Sequence, residues 1–285
     1  MLIKPTIEQI NSYREFAYNL SQDLSKSSFP TYVDGIKTKE DFMRIIDRAL
    51  DSNDTEILFY QEDDEILGWI QYYWIDEDKY IGIEIFNIER NSKNAIDEFI
   101  TYINDKFDDY QLCFGFPKEN IDVISHLKEL GYIKSEVSDV FTLDMNIYEI
   151  KEEDKNIIEV NKDNYSDFKI LHDKHQDMYW NSDRLYPALL GQTKNKWHMY
   201  IYYEDNKPIG NIYFTYAGNM MEVFGIDIEE NNDIIKPLLI KALNKTKEDG
   251  IEYMTIFTEK DESKIAKEIS LNYICEYILY INKDF

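Results

Sequence analysis

Glycine is scarce, with ten residues in a chain of 285, alongside six prolines and two cysteines. So little glycine and proline excludes collagen-like and low-complexity architectures. It also leaves few places where main chain can approach an anion closely. Cys113 and Cys275 stand singly in the apolar runs QLCFGF and YICEYILY, which excludes a disulfide framework and a cysteine metal site. The four histidines offer His172 and His175 at a three-residue spacing but no third ligand, so no metal is expected. No stretch approaches the roughly 18 apolar residues of a membrane span. The opening MLIKPTIEQI places a proline and a glutamate where a secretory leader needs an unbroken apolar core. Positive charge is also short, 31 Lys and Arg against 56 Asp and Glu, a formal net charge of −25. Such a surface repels phosphate backbones and anionic lipid, so neither nucleic acid nor membrane is an expected partner. It either draws in a cationic small molecule or serves solubility alone. The expectation is a soluble, reduced, cytoplasmic protein.

What is present is apolar material for one large core or two ordinary ones: 44% hydrophobic residues, 15% aromatic, 23 of them tyrosines. It is arranged twice. FYQEDDEILGWIQYYW (59–74) resembles IYYEDNKPIGNIYFTY (201–216), with Tyr60, Glu62, Asp63 and Gly68 against Tyr202, Glu204, Asp205 and Gly210. Both read as a β-hairpin with an acidic turn. A third strand, IGIEIFNI, answers MMEVFGIDI, setting Glu84 and Phe86 against Glu222 and Phe224. Each is followed by a helix of 3.6-residue period, a buried strand (YQLCFGF or YMTIFTE), a second amphipathic helix and a last strand, VFTLDM or YILYIN. This duplication, of roughly 140 residues, predicts an α/β fold of two domains, 1–150 and 157–285, joined by the polar linker KEEDKN (151–156). Each domain is expected to be a mixed, mostly antiparallel sheet flanked by helices.

The stretch ERNSKNAIDEFI (89–100) links the third strand to the helix without any glycine. Arg90, Asn91, Ser92, Lys93, Asn94 and Ala95 run into a helix start whose amides and dipole favour an anion. With Asn120 and the pair Gly131-Tyr132 further on, this pattern resembles the GNAT N-acetyltransferase superfamily, in a tandem form. Its turn motif is Gln/Arg-x-x-Gly-x-Gly/Ala, matched here at Arg90 and Ala95, with Lys93 in place of the central glycine. The second copy departs further, with Glu230-Asn231-Asn232-Asp233-Ile234-Ile235 in the turn, and Asp261 and Asn272-Tyr273 for the later landmark.

The resemblance implies direct acetyl transfer from acetyl-CoA, as co-substrate and without metal, to a small-molecule amine. It implies a cofactor notch where two central strands splay, lined in the first copy by Phe86, Asn87, Ile88, Arg90, Lys93, Asn94, Ala95 and Asn120. Glu84 and Glu222 become the candidate bases, unless alternation turns them to solvent. The family's acid tyrosine falls on Leu127 and Glu268, leaving Tyr132, Tyr273 or His126 to serve. The segment HDKHQDMYWNSDRLYPALL (172–190) places Tyr179, Trp180, Asp183 and Tyr186 as an aromatic and acidic cage for the amine, or as helix packing. One active copy is expected, in a monomer with an internal pseudo-dimer or in a homodimer. The missing glycines and phenol also fit a non-catalytic protein that binds CoA or another ligand as a sensor or scaffold. A peptide-binding module has no support beyond surface aromatics.

Overall fold

The computed structural model describes residues 1–28, 38–174, 180–193, 196–229 and 232–282, with only the main chain of Phe224 and Lys260. Among these residues it forms eight α-helices and twelve strands in a mixed α/β arrangement. Two compact units result: one is Met1–Ser138 together with Cys275–Phe285, the other Asp139–Ile274.

The units do not follow the sequence copies. The expected boundary at 151–156 lies inside the second unit, because each copy's last strand completes the other unit's sheet. Strand β6 (Ile133–Asp144) pairs antiparallel with β11 (Tyr253–Thr258), from Asp139↔Thr258 to Asp144↔Tyr253. Strand β12 (Asn272–Ile281) pairs with β5 (Gln111–Pro117), from Tyr277↔Pro117 to Ile281↔Cys113. Both terminal strands alternate apolar residues in the same way, so hydrophobic pattern does not say which sheet each one joins.

In the first unit, β1 (Leu2–Ile3), α1 (Ile7–Ser21) and α2 (Lys39–Asp51) precede β2 (Thr55–Glu62), β3 (Glu65–Ile75) and β4 (Tyr80–Ile88). Then follow α3 (Ser92–Lys106), β5 and α4 (Ile121–Glu129). The sheet order is β1-β2-β3-β4-β5-β12, antiparallel throughout except for β4 with β5. The β2–β3 hairpin turns on Asp63 and Asp64, both at positive φ, a turn that short polar side chains tolerate without glycine. Alternation along β4 splits the core. Ile85 packs with Phe42, Ile46, Trp69 and Ala17 on the α1–α2 side. Phe86 packs with Phe99, Phe114, Phe116 and Leu127 on the α3–α4 side. Each such fully buried side chain contributes about 1.5–3 kcal/mol.

The second unit repeats this plan with β7 (Ile157–Glu159), α5 (Tyr165–His172), α6 (Ser182–Leu189), β8 (Trp197–Glu204), β9 (Lys207–Ala217) and β10 (Met220–Ile228). A 3-10 turn at Asn232–Ile234 leads into α7 (Ile235–Glu248), then β11 and α8 (Lys260–Glu268). Its sheet order is β6-β11-β10-β9-β8-β7. Pro237 sits in the first turn of α7, where a missing amide breaks no helix bond.

Candidate functional site

In each unit a parallel strand pair opens beside a bulge. β4 and β5 pair only through Tyr80↔Gln111, Ile81↔Leu112 and Gly82↔Cys113, and then separate. Across β4 the register with β3 shifts between Gln71 and Tyr72, leaving Glu84 as the extra residue. In the second unit β10 and β11 pair from Met220↔Tyr253 to Val223↔Ile256, and the shift against β9 leaves Phe224 extra. The structural equivalents of Glu84, Phe86 and Asn87 are therefore Phe224, Ile226 and Asp227. Glu222 does not match Glu84; it lies two residues before the bulge, opposite Thr215 and Thr255. A two-residue slip keeps every side chain on its own face, so alternation alone could not detect it.

Glu84 is buried, and both its carboxylate oxygens are engaged. Arg48 Nη2 donates to Oε1 at 2.8 Å and Gln71 Nε2 to Oε2 at 2.6 Å. It is thus neither a lone carboxyl among apolar groups nor a solvated one. Arg48 is the residue that sequence reasoning missed; it projects from α2 between buried Ile45 and Ala49. Glu222 is also buried.

The glycine-free turn solves its conformational problem with Asn91, at φ 59° and ψ 38°, the left-handed region that asparagine visits most readily of the bulkier residues. Asn91 gives α3 no side-chain cap; its Nδ2 donates to Glu62 Oε2 at 2.5 Å instead. The cations near this helix start are held by carboxylates: Arg90 by Glu65 at 2.5 Å, and Lys93 more loosely by Glu129 at 4.0 Å. Asn94 is exposed in the first turn of α3, while Ala95 is fully buried and its amide closes that turn onto Asn91 O at 3.2 Å.

Across the gap, β4 meets the segment that follows α1. Glu89 N donates to Leu67 O on β3, so the alternate amides, Phe86 and Ile88, face away from β3. Phe86 N donates to Ser28 Oγ at 2.8 Å and Ile88 N to Lys26 O at 2.9 Å. From the far side, Asn120 Nδ2 donates to Ser27 O at 3.2 Å. Asn87 points to the other face, where Nδ2 donates to Ala17 O at 3.0 Å. The structure therefore brings Phe86, Ile88 and Asn120 together around Ser27, and Arg90 and Lys93 around the turn.

Asn120 precedes α4 without capping it. Gly131, at φ +84°, ends α4, and Tyr132 N returns to Leu127 O at 2.9 Å, a helix stop. Ser270 and Leu271 make the same stop after α8, so they, with Glu259, are the counterparts of Gly131, Tyr132 and Asn120. The sequence pairing with Asp261 and Asn272-Tyr273 is corrected accordingly. Tyr132 packs against Phe114 at 5.5 Å between ring centres, and burial pushes its phenol pKa well up. His126 is bonded to Asp97 of α3 at 2.7 Å.

The second unit holds a cluster that the motifs did not indicate. His172, at the end of α5, is fully buried; its Nδ1 lies 2.8 Å from Asp227 Oδ2 and its Nε2 2.6 Å from Trp180 O. Burial pulls the histidine pKa down, but the Asp227 carboxylate and the Trp180 carbonyl outweigh it, and the net shift is upward. Nearby, burial pushes the Glu262 carboxyl up to about 7, with the charges of Glu259 and Asp227 adding to it. Two sequence signals were there to be read: an aspartate inside the apolar strand MMEVFGIDI and a histidine on a helix face. Of the expected amine cage, Trp180 packs on Trp197 at 4.7 Å. Asp183 is exposed and paired with Lys169 at 2.9 Å. Tyr186 lies 4.9 Å from Tyr165. Tyr179 and His175 fall outside the described residues, as do Glu230 and Asn231. Trp180, Asp183 and Tyr186 thus each have a protein partner, Trp197, Lys169 and Tyr165 in turn. Among the described residues no group of three or more His, Cys, Asp or Glu has the arrangement of a metal site, and no helix is long and apolar enough to cross a membrane.

No family model and no curated protein matches the chain. Solved structures do match along nearly its whole length. A GCN5-related N-acetyltransferase from Sphaerobacter thermophilus is similar over 99% of this chain and 95% of its own, with a TM-score of 0.68 at 9% identity. A tandem GNAT protein from the clavulanic acid biosynthesis pathway is similar over 99% and 98%, with a TM-score of 0.60 at 7% identity. A GNAT-family acetyltransferase from Colwellia psychrerythraea covers 99% and 100%, with a TM-score of 0.52 at 8% identity. At such identities the likeness is one of fold, and the fold is the tandem GNAT fold.

Proposed function

We propose that this chain is an acetyl-CoA-dependent N-acetyltransferase acting on a small cationic amine, with one working copy. The observation that carries the reading is the gap between parallel strands beside a bulge, found in both units of a tandem GNAT fold. The net charge of −25 supports a cationic acceptor.

In direct transfer the amine nitrogen bonds to the thioester carbon and the C–S bond breaks. The amine's proton goes to a base, and the leaving thiolate takes up a proton. The buried carboxylates on these strands, Glu84 on β4 and Glu222 on β10, are the candidate bases. Tyr132, raised by burial, is a candidate proton donor in the first unit. Holding amine and thioester together supplies much of the rate, since effective molarities reach roughly 10⁵ M or more.

The test is thiol release from acetyl-CoA with a panel of diamines and polyamines, on the wild type, Glu84→Gln and Glu222→Gln. Amine-dependent release that falls at least tenfold in one variant supports the reading. Tight acetyl-CoA binding with no release for any amine favours the non-catalytic ligand-binding alternative. That alternative draws its support from Leu127, which is fully buried where the family places its acid tyrosine.

A further inference from the structure

We propose that residues Lys26–Ser28 are a built-in occupant of the first unit's strand gap, so that the acyl carrier engages the second unit along β10. The inference rests on the acetyltransferase reading and assigns the working copy within it.

An open strand edge presents unpaired N–H and C=O groups, and an extended ligand carrying amides binds there by supplying the missing strand. In the first unit the donors of that edge are Phe86 N and Ile88 N. Both are already bonded, to Ser28 Oγ and Lys26 O. Asn120, reaching from the start of α4, closes the other side onto Ser27 O. Lys26–Ser28 therefore bridges from β4 to the start of α4 across the gap. Ser27 and Ser28 are almost completely buried, at 0% and 1% exposure. A ligand arm in this gap would have to expel the segment and leave its polar groups to find other partners. Each bond so lost weakens ligand binding when the freed group stays buried.

The turn alongside gives no compensation. Arg90 is committed to Glu65, and Glu62 and Glu89 lie close by. A pyrophosphate would have to compete with those carboxylates for the guanidinium.

The second unit differs at the equivalent edge. Glu229 N bonds Ile209 O, as Glu89 N bonds Leu67 O, so Ile226 N and Ile228 N face the gap. No described residue outside the sheet bonds to the main chain of Ile226 or Ile228. Beside them on β10 stands Asp227, held by His172.

The test is hydrogen exchange on the intact chain, read peptide by peptide with and without acetyl-CoA, together with calorimetric titration. The expected result is one bound acetyl-CoA per chain. Protection should rise at least tenfold across 224–229 and stay unchanged across 84–89, which is already protected. Arg90→Glu/Lys93→Glu, two exposed positions, should leave Kd within twofold of the wild type. Protection gained at 84–89 with faster exchange at 22–28 would overturn the inference while leaving the acetyltransferase reading intact. No heat and no protection anywhere would overturn both. Ser28→Ala/Asn120→Ala, which removes two of the three bonds, should speed exchange at Phe86 about tenfold while leaving 224–229 unaltered. An unchanged Phe86 would show that these bonds do not hold the gap closed.

Discussion

His172 and Asp227 form a buried pair, with ring Nδ1 2.8 Å from carboxylate Oδ2, while the other ring nitrogen faces a carbonyl oxygen, that of Trp180. A carbonyl and an ionised carboxylate can only accept. The pair favours a ring in which both nitrogens donate, the charged imidazole, in line with its raised pKa. Asp227→Asn would leave that charge buried beside a neutral amide, at a cost of about 3–5 kcal/mol. Urea denaturation of the variant at pH 6 checks this.

The same pair sets a pH dependence. His172 has its pKa raised above the ordinary 6.5. The folded state therefore holds its proton more tightly than the unfolded chain does. The stabilisation is complete below the unfolded value and is lost as pH rises through the folded one. The wild type should lose urea midpoint between about pH 6.5 and the folded value, and His172→Gln should flatten that slope. Nuclear magnetic resonance titration of the ring protons gives the folded value directly.

Glu262 acts in the same direction over a different range. Its carboxyl titrates near 7 in the fold, against 4.5 for the free side chain. Between those values the folded state binds more protons, so stability falls as pH rises and the full penalty is present above about 7. Glu262→Gln keeps an oxygen able to accept from Glu259 N, as Oε2 now does at 3.1 Å. It should leave stability at pH 4 nearly unchanged and raise it at pH 8, by at most about 3 kcal/mol. Thermal melts at the two pH values decide the matter.

Gly115 on β5 faces Leu279 in the ladder, and a β-carbon built there would collide with the Tyr277 ring. Tyr277 is itself 2% exposed and has little room to move. Gly115→Ala should destabilise the first unit by about 1–3 kcal/mol. Tyr277→Leu in the same chain should restore part of the loss. A double-mutant cycle in denaturant measures the coupling.

The element order within each copy, the two hairpins and the doubled plan were all legible from periodicity and turn chemistry. Asp63-Asp64 and Asp205-Asn206 both take positive φ at the tips of the two expected hairpins. Three things were not legible. The bulge equates Glu84 with Phe224 and not with Glu222, a slip invisible to a period of two. Lys26–Ser28 carries no motif, and only the folded chain shows Ser28 bonded to β4. The partners of β6 and β12 lie far off in sequence, and a local pattern does not encode such pairings.

That choice has a consequence during synthesis. A ribosome releases the chain from the N-terminus at roughly 5–20 residues per second. The first unit has all its helices and five of its six strands once β5 and α4 have emerged, yet the sixth strand belongs to residues 275–281. From then until residues 277–281 are made, β5 carries an open edge, with Cys113 to Pro117 waiting for Ile281 to Tyr277. The nascent chain thus makes every element from β6 to α8 with a hydrophobic edge uncovered. A strand made late closes a sheet begun early.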